Sequence, residues 1–378
     1  MAKNAPATAQ APTFGARLSE AVRGAFGTYA LVVIAFLVIQ GMIATGSITS
    51  ALQGQLVPIC VYICAAVSLN LVVGISGELS LGHAGFMSVG AFTGVIVASL
   101  LADAIPNDAL RLLVSVATGG CFGALAGFVV GVPVMRLSGD YLAIVTLAFG
   151  EIIKNIVNNL YVGRDGAGLH VSLTSVSDLG MDHGVVIING PQGAVGIDKL
   201  STFAAGFILV LVTLFVVLNL VRSRSGRAIM AVRDNRIAAE SVGINVTKYR
   251  LMAFVVAAAL AGMAGTLYAM NFSSVVAGRF DYNTSILILV YVVLGGIGNV
   301  RGSIIAAAIL TILPEFLRFM ADYRMLIYAV VLICVMVLPN IGAVQRFMDA
   351  VKRKVPWLSD KEALEDPDMV STGGDSRG

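Results

Sequence analysis

The stretch that decides the fold is Arg222–Arg250, RSRSGRAIMAVRDNRIAAESVGINVTKYR. It carries seven of the 25 Lys and Arg residues. It lies between two long apolar runs, FAAGFILVLVTLFVVLNLV before it and LMAFVVAAALAGMAGTLYAM after it. A basic loop between membrane helices faces the cytoplasm. Its internal pattern is that of a short surface helix. Gly226 is read as ending the preceding span, Ala228–Val242 is a run of helix formers, and Gly243 stops it. Ala238 and Ala239 leave a shallow surface beside the carboxylate of Glu240, with Arg227, Arg233 and Arg236 around it. Such a helix, lying across the membrane surface, fits a cleft in a partner protein.

Working outward, the whole chain reads as a membrane protein. Apolar residues make up 57% and charged residues 12%, and the mean hydropathy is +0.89. A soluble domain carries roughly 25% charged residues, so the bilayer is the main solvent of this chain. The expected class is an all-α, polytopic membrane protein of about ten spans with a cytoplasmic coupling helix. The spans are Thr28–Ala44, Leu52–Val73, Ala84–Ala102, Leu112–Met135, Tyr141–Val157, Phe203–Val221, Leu251–Met270, Thr284–Gly298, Gly302–Leu317 and Met325–Val344. The first is read as an uncleaved helix, since no small-x-small cleavage site closes it. Domain boundaries follow: a disordered cytoplasmic tail over 1–24, a membrane domain over 25–346, and a cytoplasmic tail over 347–378 that is disordered at its end.

Thr284–Leu317 can be one helix or two, split at Gly298-Asn-Val-Arg-Gly302. Charge favours two. With ten spans and both ends inside, eighteen Lys and Arg face the cytoplasm and six the outside, as the positive-inside rule requires. One outside segment is large, 158–202, with GRDGAGL and INGPQG marking turns. It is either a folded cap over the helix ends or a docking surface for an extracytoplasmic protein.

Enzyme chemistry finds no residues to work with. No Lys follows a Gly, so there is no phosphate loop; HExxH does not occur, and no GxSxG lies in an apolar run to supply an intramembrane serine nucleophile. Cys60, Cys64, Cys121 and Cys334 all lie in apolar runs, and the three His are scattered, so no metal site is expected. The basic residues sit at helix ends, which argues against a nucleic-acid partner. Gly119, Gly123, Gly127 and Gly131 form an i+4 series read as helix packing. Glu151, with Lys154 at i+3, is either an interfacial ion pair or part of a pathway. The segment Gly74–Ala84, GISGELSLGHA, differs from the other connections. It mixes Gly77 and Gly82 with Glu78, Ser80 and His83, and irregular backbone at membrane depth is tolerated only where protein or water covers it. It is a candidate lining of the pathway or gate, the alternative being a plain tight connection.

Four motifs resemble those of the LivM-type permease subunits of branched-chain amino acid ABC importers. They are GISGELSLGHAGFMSVGAFT, YLAIVTLAFGEI (which contains Thr146), GRAIMAVRDNRIAAESVGINVTKYRLMAF and GGIGNVRGS. In the last, Asn299 and Ser303 stand where the family pattern has Thr or Ser and then Pro. The resemblance implies a multi-pass subunit of a bacterial cytoplasmic membrane with no cofactor of its own. It implies a LivH-like second permease, two cytoplasmic ATPases that hold ATP and Mg, and an extracytoplasmic solute-binding protein. By the same resemblance Gly226–Gly243 is the ATPase-coupling segment, and relatives that import urea or short amides are the alternative for the substrate. An ion-coupled secondary transporter is the runner-up, although such carriers place buried acids at unwound helices and this chain has few.

Overall fold

The computed structural model describes residues 14–46, 49–136, 140–166, 168–181 and 184–317, with isolated positions beyond. The expected span Met325–Val344 and the tail 347–378 therefore lie outside the described residues, apart from those isolated positions. Eight helices among the described residues are long and apolar enough to cross a membrane.

Helix α1 (Phe14–Ala44) belongs to one of two compact units, which also takes in Ile333. It begins ten residues before the expected end of the tail at 24, because Ala, Leu, Glu and Arg in GARLSEAVRGAF extend a helix at little cost. The second unit holds the rest of the described chain. Its centre is α2 (Ser50–Asn70), apolar on all sides and continued by a π-helical turn over Leu71–Ile75. A helix hydrophobic all round is an interior helix. It packs against α6 (Phe203–Arg222), α9 (Val246–Ala269), α10 (Tyr282–Gly295) and α11 (Val300–Phe316). On its other side α9 meets α3 (His83–Leu100) and α4 (Asp108–Val134). The α4 glycine stripe lies in this contact, where a Cβ at Gly123 would stand 2.7 Å from the Ala258 carbonyl oxygen. Thr266 Oγ1 donates to Gly90 O at 2.7 Å and ties α9 to α3. Helix α5 (Asp140–Asn158) flanks α3.

The stretch 282–316 is two helices, broken at Gly296–Asn299, where Gly296 and Gly298 both take positive φ. The connection between α5 and α6 is more ordered than its turn residues suggest. It holds β1 (Tyr161–Asp165), β2 (Gly168–Ser172), β3 (Gly184–Asn189) and β4 (Ala194–Val195), and β5 (Ser274–Val275) joins from beyond α9. The antiparallel order is β2-β1-β3-β4-β5. GVVIIN is a β-branched run, while YVGRD and GLHVS carry one Val each and are paired to it through β1, which is why the glycine-rich sequence does not announce the strands. The sheet is fastened to the helix ends. Arg164 pairs with Asp103 and donates to Ser99 O at 2.8 Å. Arg111 on α4 bridges Asp108 at 3.0 Å and Asp198 at 3.1 Å.

Candidate functional site

The basic loop folds as two short helices rather than one. α7 (Arg224–Asp234) and α8 (Arg236–Ser241) are separated at Asn235, which leaves the helical region at φ −153° and ψ 103°. Its Oδ1 accepts from Ala238 N at 3.0 Å and starts the second helix, the usual use of Asn at an N-cap. The preceding span ends at Ser223, not at Gly226. Ser223 Oγ accepts from Gly226 N at 3.1 Å. Gly226 lies inside α7, where a side chain would collide with the Leu220 and Val221 carbonyls. Gly243, at φ +85°, does stop α8.

The surface of α8 differs from the sequence expectation at one residue. Ala239 faces inward at 4% exposure and packs with Val232, Val246 and Ile244. Ala238 stays on the open face, beside Ile237 at 80% and Val242 at 74% exposure. Helical period decides this: position 239 falls on the face that must bury against α7 and α9. The arginines do not gather around Glu240. Arg236 alone pairs with it, at 3.1 Å. Arg227 donates to Arg222 O at 3.3 Å, and Arg233 pairs with Asp234 at 2.8 Å.

Arg233 also joins the two candidate groups. Its Nη1 donates to Gly74 O at 3.1 Å, a carbonyl in the π turn that closes α2. Gly77 sits at φ +73°, and a Cβ there would stand 2.6 Å from Arg233 Cγ. One residue on, Glu78 forms an ion pair with Arg250 in the first turns of α9, their side chains 15% and 5% exposed. On the opposite flank Asn70, fully buried, accepts from Gly298 N at 2.9 Å and donates to Ser303 Oγ at 3.0 Å. The two departures from the family pattern work here. Asn299 caps α11 by accepting from Gly302 N at 3.1 Å, and Ser303 takes the Asn70 hydrogen bond that Pro lacks the group to make.

Beyond Glu78 the chain turns back into the bundle. His83 Nε2 lies 2.8 Å from Ser68 Oγ. Ser68 precedes the end of the π turn by seven residues, so α3 starts roughly 10 Å inside that end at 1.5 Å per residue. Leu81 N donates to Thr146 Oγ1 on α5 at 3.1 Å, and Ala84 N to Ser285 Oγ on α10 at 3.0 Å. Gly82 is pressed against the Thr146 carbonyl, which leaves no room for a side chain. Ser80 is buried. Ser76, Ser80 and Gly82 are buried while Gly77 and Leu79 are exposed, so protein covers the two ends of the segment and its middle stays open.

Gly77, Glu78, Gly82, His83 and Thr146 are thus brought into one junction with Arg233, and Ser80 lies within its segment. Glu151 is not part of it. It pairs with Lys154 and accepts from Tyr282 N at 3.2 Å, at the start of α10. Arg250, Asn70, Ser68 and Ser285 are members that sequence reading missed. For Arg250 a signal existed: α9 begins at Val246, which makes Arg250 a cation inside a membrane helix, whereas a span starting at Leu251 leaves it in the loop. Among the described residues no group of His, Cys, Asp or Glu has the arrangement of a metal site.

The signature of a family described as "Branched-chain amino acid transport system / permease component" matches residues 51–336. The chain is 33% identical over 312 residues to the high-affinity branched-chain amino acid transport system permease protein LivM of Salmonella typhimurium, covering 78% of this chain and 69% of that protein. It is 33% identical to the protein of the same name from Escherichia coli, covering 73% and 66%. It thus spans about two thirds of the length of these relatives. The ribose import permease protein RbsC of Escherichia coli is 28% identical over 73% of this chain and 81% of its own length. No solved structure matches.

Proposed function

The chain belongs to the permease-component family of branched-chain amino acid transport systems, and from this premise we propose that it forms half of the pathway of an ATP-driven importer for branched-chain amino acids. A second permease subunit supplies the other half. Two cytoplasmic ATPases dock on α7–α8, and an extracytoplasmic binding protein delivers substrate to the side that carries the sheet. The mechanism is alternating access: closure of the ATPase pair displaces α7–α8 and switches which face of the bundle is open.

The observation that carries this reading is α8. Ile237 and Val242 are among the most exposed apolar side chains described, on a helix too short to cross a membrane and rooted against a buried junction. Ile237 on α8 and Val242 at its C-cap offer an apolar pair beside Arg236 and Glu240 for a partner to cover. ATP chemistry belongs to the partners, since this chain has no phosphate loop. A pathway for Leu, Ile or Val is mostly apolar and does not need tight binding, because the binding protein selects.

Reconstitution tests the reading. The full complex in vesicles is expected to accumulate labelled leucine from its binding protein when ATP is inside. Uptake that persists without ATP and collapses with an ionophore would replace the importer by an ion-coupled carrier. Uptake of ribose, urea or a short amide in place of leucine would keep the ATP-driven machine and change its substrate.

A further inference from the structure

We infer that Arg233 and Arg250 are positioning residues that clamp the Gly74–Gly82 segment to α7 and to the first turns of α9, on either side of α8, so that displacement of α8 moves the entry to α3. This rests on the importer reading above and adds the residues that carry the motion inward.

The two arginines flank α8 in sequence, one at the end of α7 and one in the first turns of α9. Both reach the same short stretch of backbone. Arg233 holds it at Gly74 O and lies against Gly77, and Arg250 holds it at Glu78. Arg233 is carried by α7 and Arg250 by the first turns of α9, a helix that packs on α7 and α8, so the segment is attached on both sides of α8. The Glu78–Arg250 pair is buried, and removing one partner of a buried pair strands the other charge in a poor solvent. The pair therefore resists separation, and the two elements move as one body.

The far end of the segment is held by hydrogen bonds to three helices: Leu81 to α5, His83 to Ser68 on α2, and Ala84 to α10. Buried polar groups are normally hydrogen-bonded. Yet Ser76 Oγ and Ser80 Oγ on this segment, and Arg250 Nε in the clamp, are buried without a hydrogen-bond partner among the described residues. A segment fixed at both ends, with an exposed middle and unused hydrogen-bonding groups between, is suited to a second arrangement. Its displacement alters where α3 begins, inside the bundle.

The test uses the complete complex in vesicles, with Glu78→Arg, Arg250→Glu and the double swap, and with Arg233→Ala and Arg233→Lys. The single charge reversals are expected to co-purify with the ATPases and hydrolyse ATP at the basal rate, and Arg233→Ala, which lies on α7 itself, is read by substrate moved per ATP hydrolysed in the complex that assembles. Uptake falls tenfold or more in the reversals and several-fold in Arg233→Ala, so substrate moved per ATP drops. The swap and Arg233→Lys recover most of that ratio. Arg233 is partly exposed, so its variants stay informative if the buried reversals fail to assemble. Normal transport per ATP in Arg233→Ala would overturn the clamp, as would reversals that lose assembly together with a swap that restores it without restoring the ratio. Wild-type complex that shows no ATP-driven uptake would sink the importer reading instead.

Discussion

At Gly77 the backbone takes φ +73°, and the space where a side chain would begin is filled by Arg233 Cγ. The left-handed conformation alone costs an L-residue about 1–2 kcal/mol, and the collision adds to it. Gly77→Val is therefore expected to destabilise the protein by about 2–3 kcal/mol, from the conformational cost and an overpacking cost of similar size. It is also expected to detach Arg233 from Gly74. Thermal unfolding of the purified protein in detergent measures the first effect. Gly54→Ala is the control: Gly54 is helical with open space around it, so that variant is expected to be neutral or stabilising by about 0.4–1 kcal/mol. An equal loss in both variants would show that Gly77 has no special place. Sequence pointed to Gly77 through the density of glycines before His83. It did not point to Arg233 as its neighbour, because 156 positions separate them and the contact exists only once α7 folds under α2.

The short helices α7 and α8 are the coupling element proposed above. Caps define their ends: Ser223, Asn235 and Asn245 each accept from a backbone N–H three residues on. Those signals are local and legible, although the Asn235 cap was hidden in a run of good helix formers. Which face turns inward is not local. Ile237→Asp and Val242→Asp alter exposed positions, so stability is expected to stay within about 0.5 kcal/mol. Association with the ATPases is expected to weaken tenfold or more, about 1.4 kcal/mol, read by co-purification and titration. Ala239→Trp is expected to act differently, costing about 1–3 kcal/mol of stability through overpacking against Val232 and Val246. Glu240→Arg removes only an exposed i,i+4 pair with Arg236, worth about 0.3–0.5 kcal/mol, so any larger loss of transport belongs to the interface. If the Asp variants bind the ATPases as wild type does, α8 is not the contact surface.

For the whole molecule, the ten-span reading with its eighteen basic residues against six is expected to put the α10–α11 turn on the same side as α7–α8 and the sheet on the other. In a cysteine-free background, a cysteine at exposed Ile297 is expected to react only with a permeant thiol reagent in intact cells, and one at exposed Val171 with an impermeant reagent too. The reverse pattern would invert the topology. The purified chain alone is expected to show no ATP binding in equilibrium dialysis. Composition by itself determined that this is a polytopic helical membrane protein, since 57% apolar residues have no stable disposition in water. Local pattern determined nearly every helix, because a span must satisfy its own backbone hydrogen bonds and therefore announces itself as a continuous run. Local pattern also found the basic loop and the glycine-rich turn as separate suspects. Only the tertiary structure decided that they are one site, joined through Arg233, Glu78 and Arg250, and that the chain re-enters the bundle before α3. It also decided that the outer connection forms a sheet completed by Ser274–Val275 from beyond α9. These are pairings between positions far apart in the chain. Their energy comes from burial and hydrogen bonding that exist only after the helices have packed, so no window of sequence contains them.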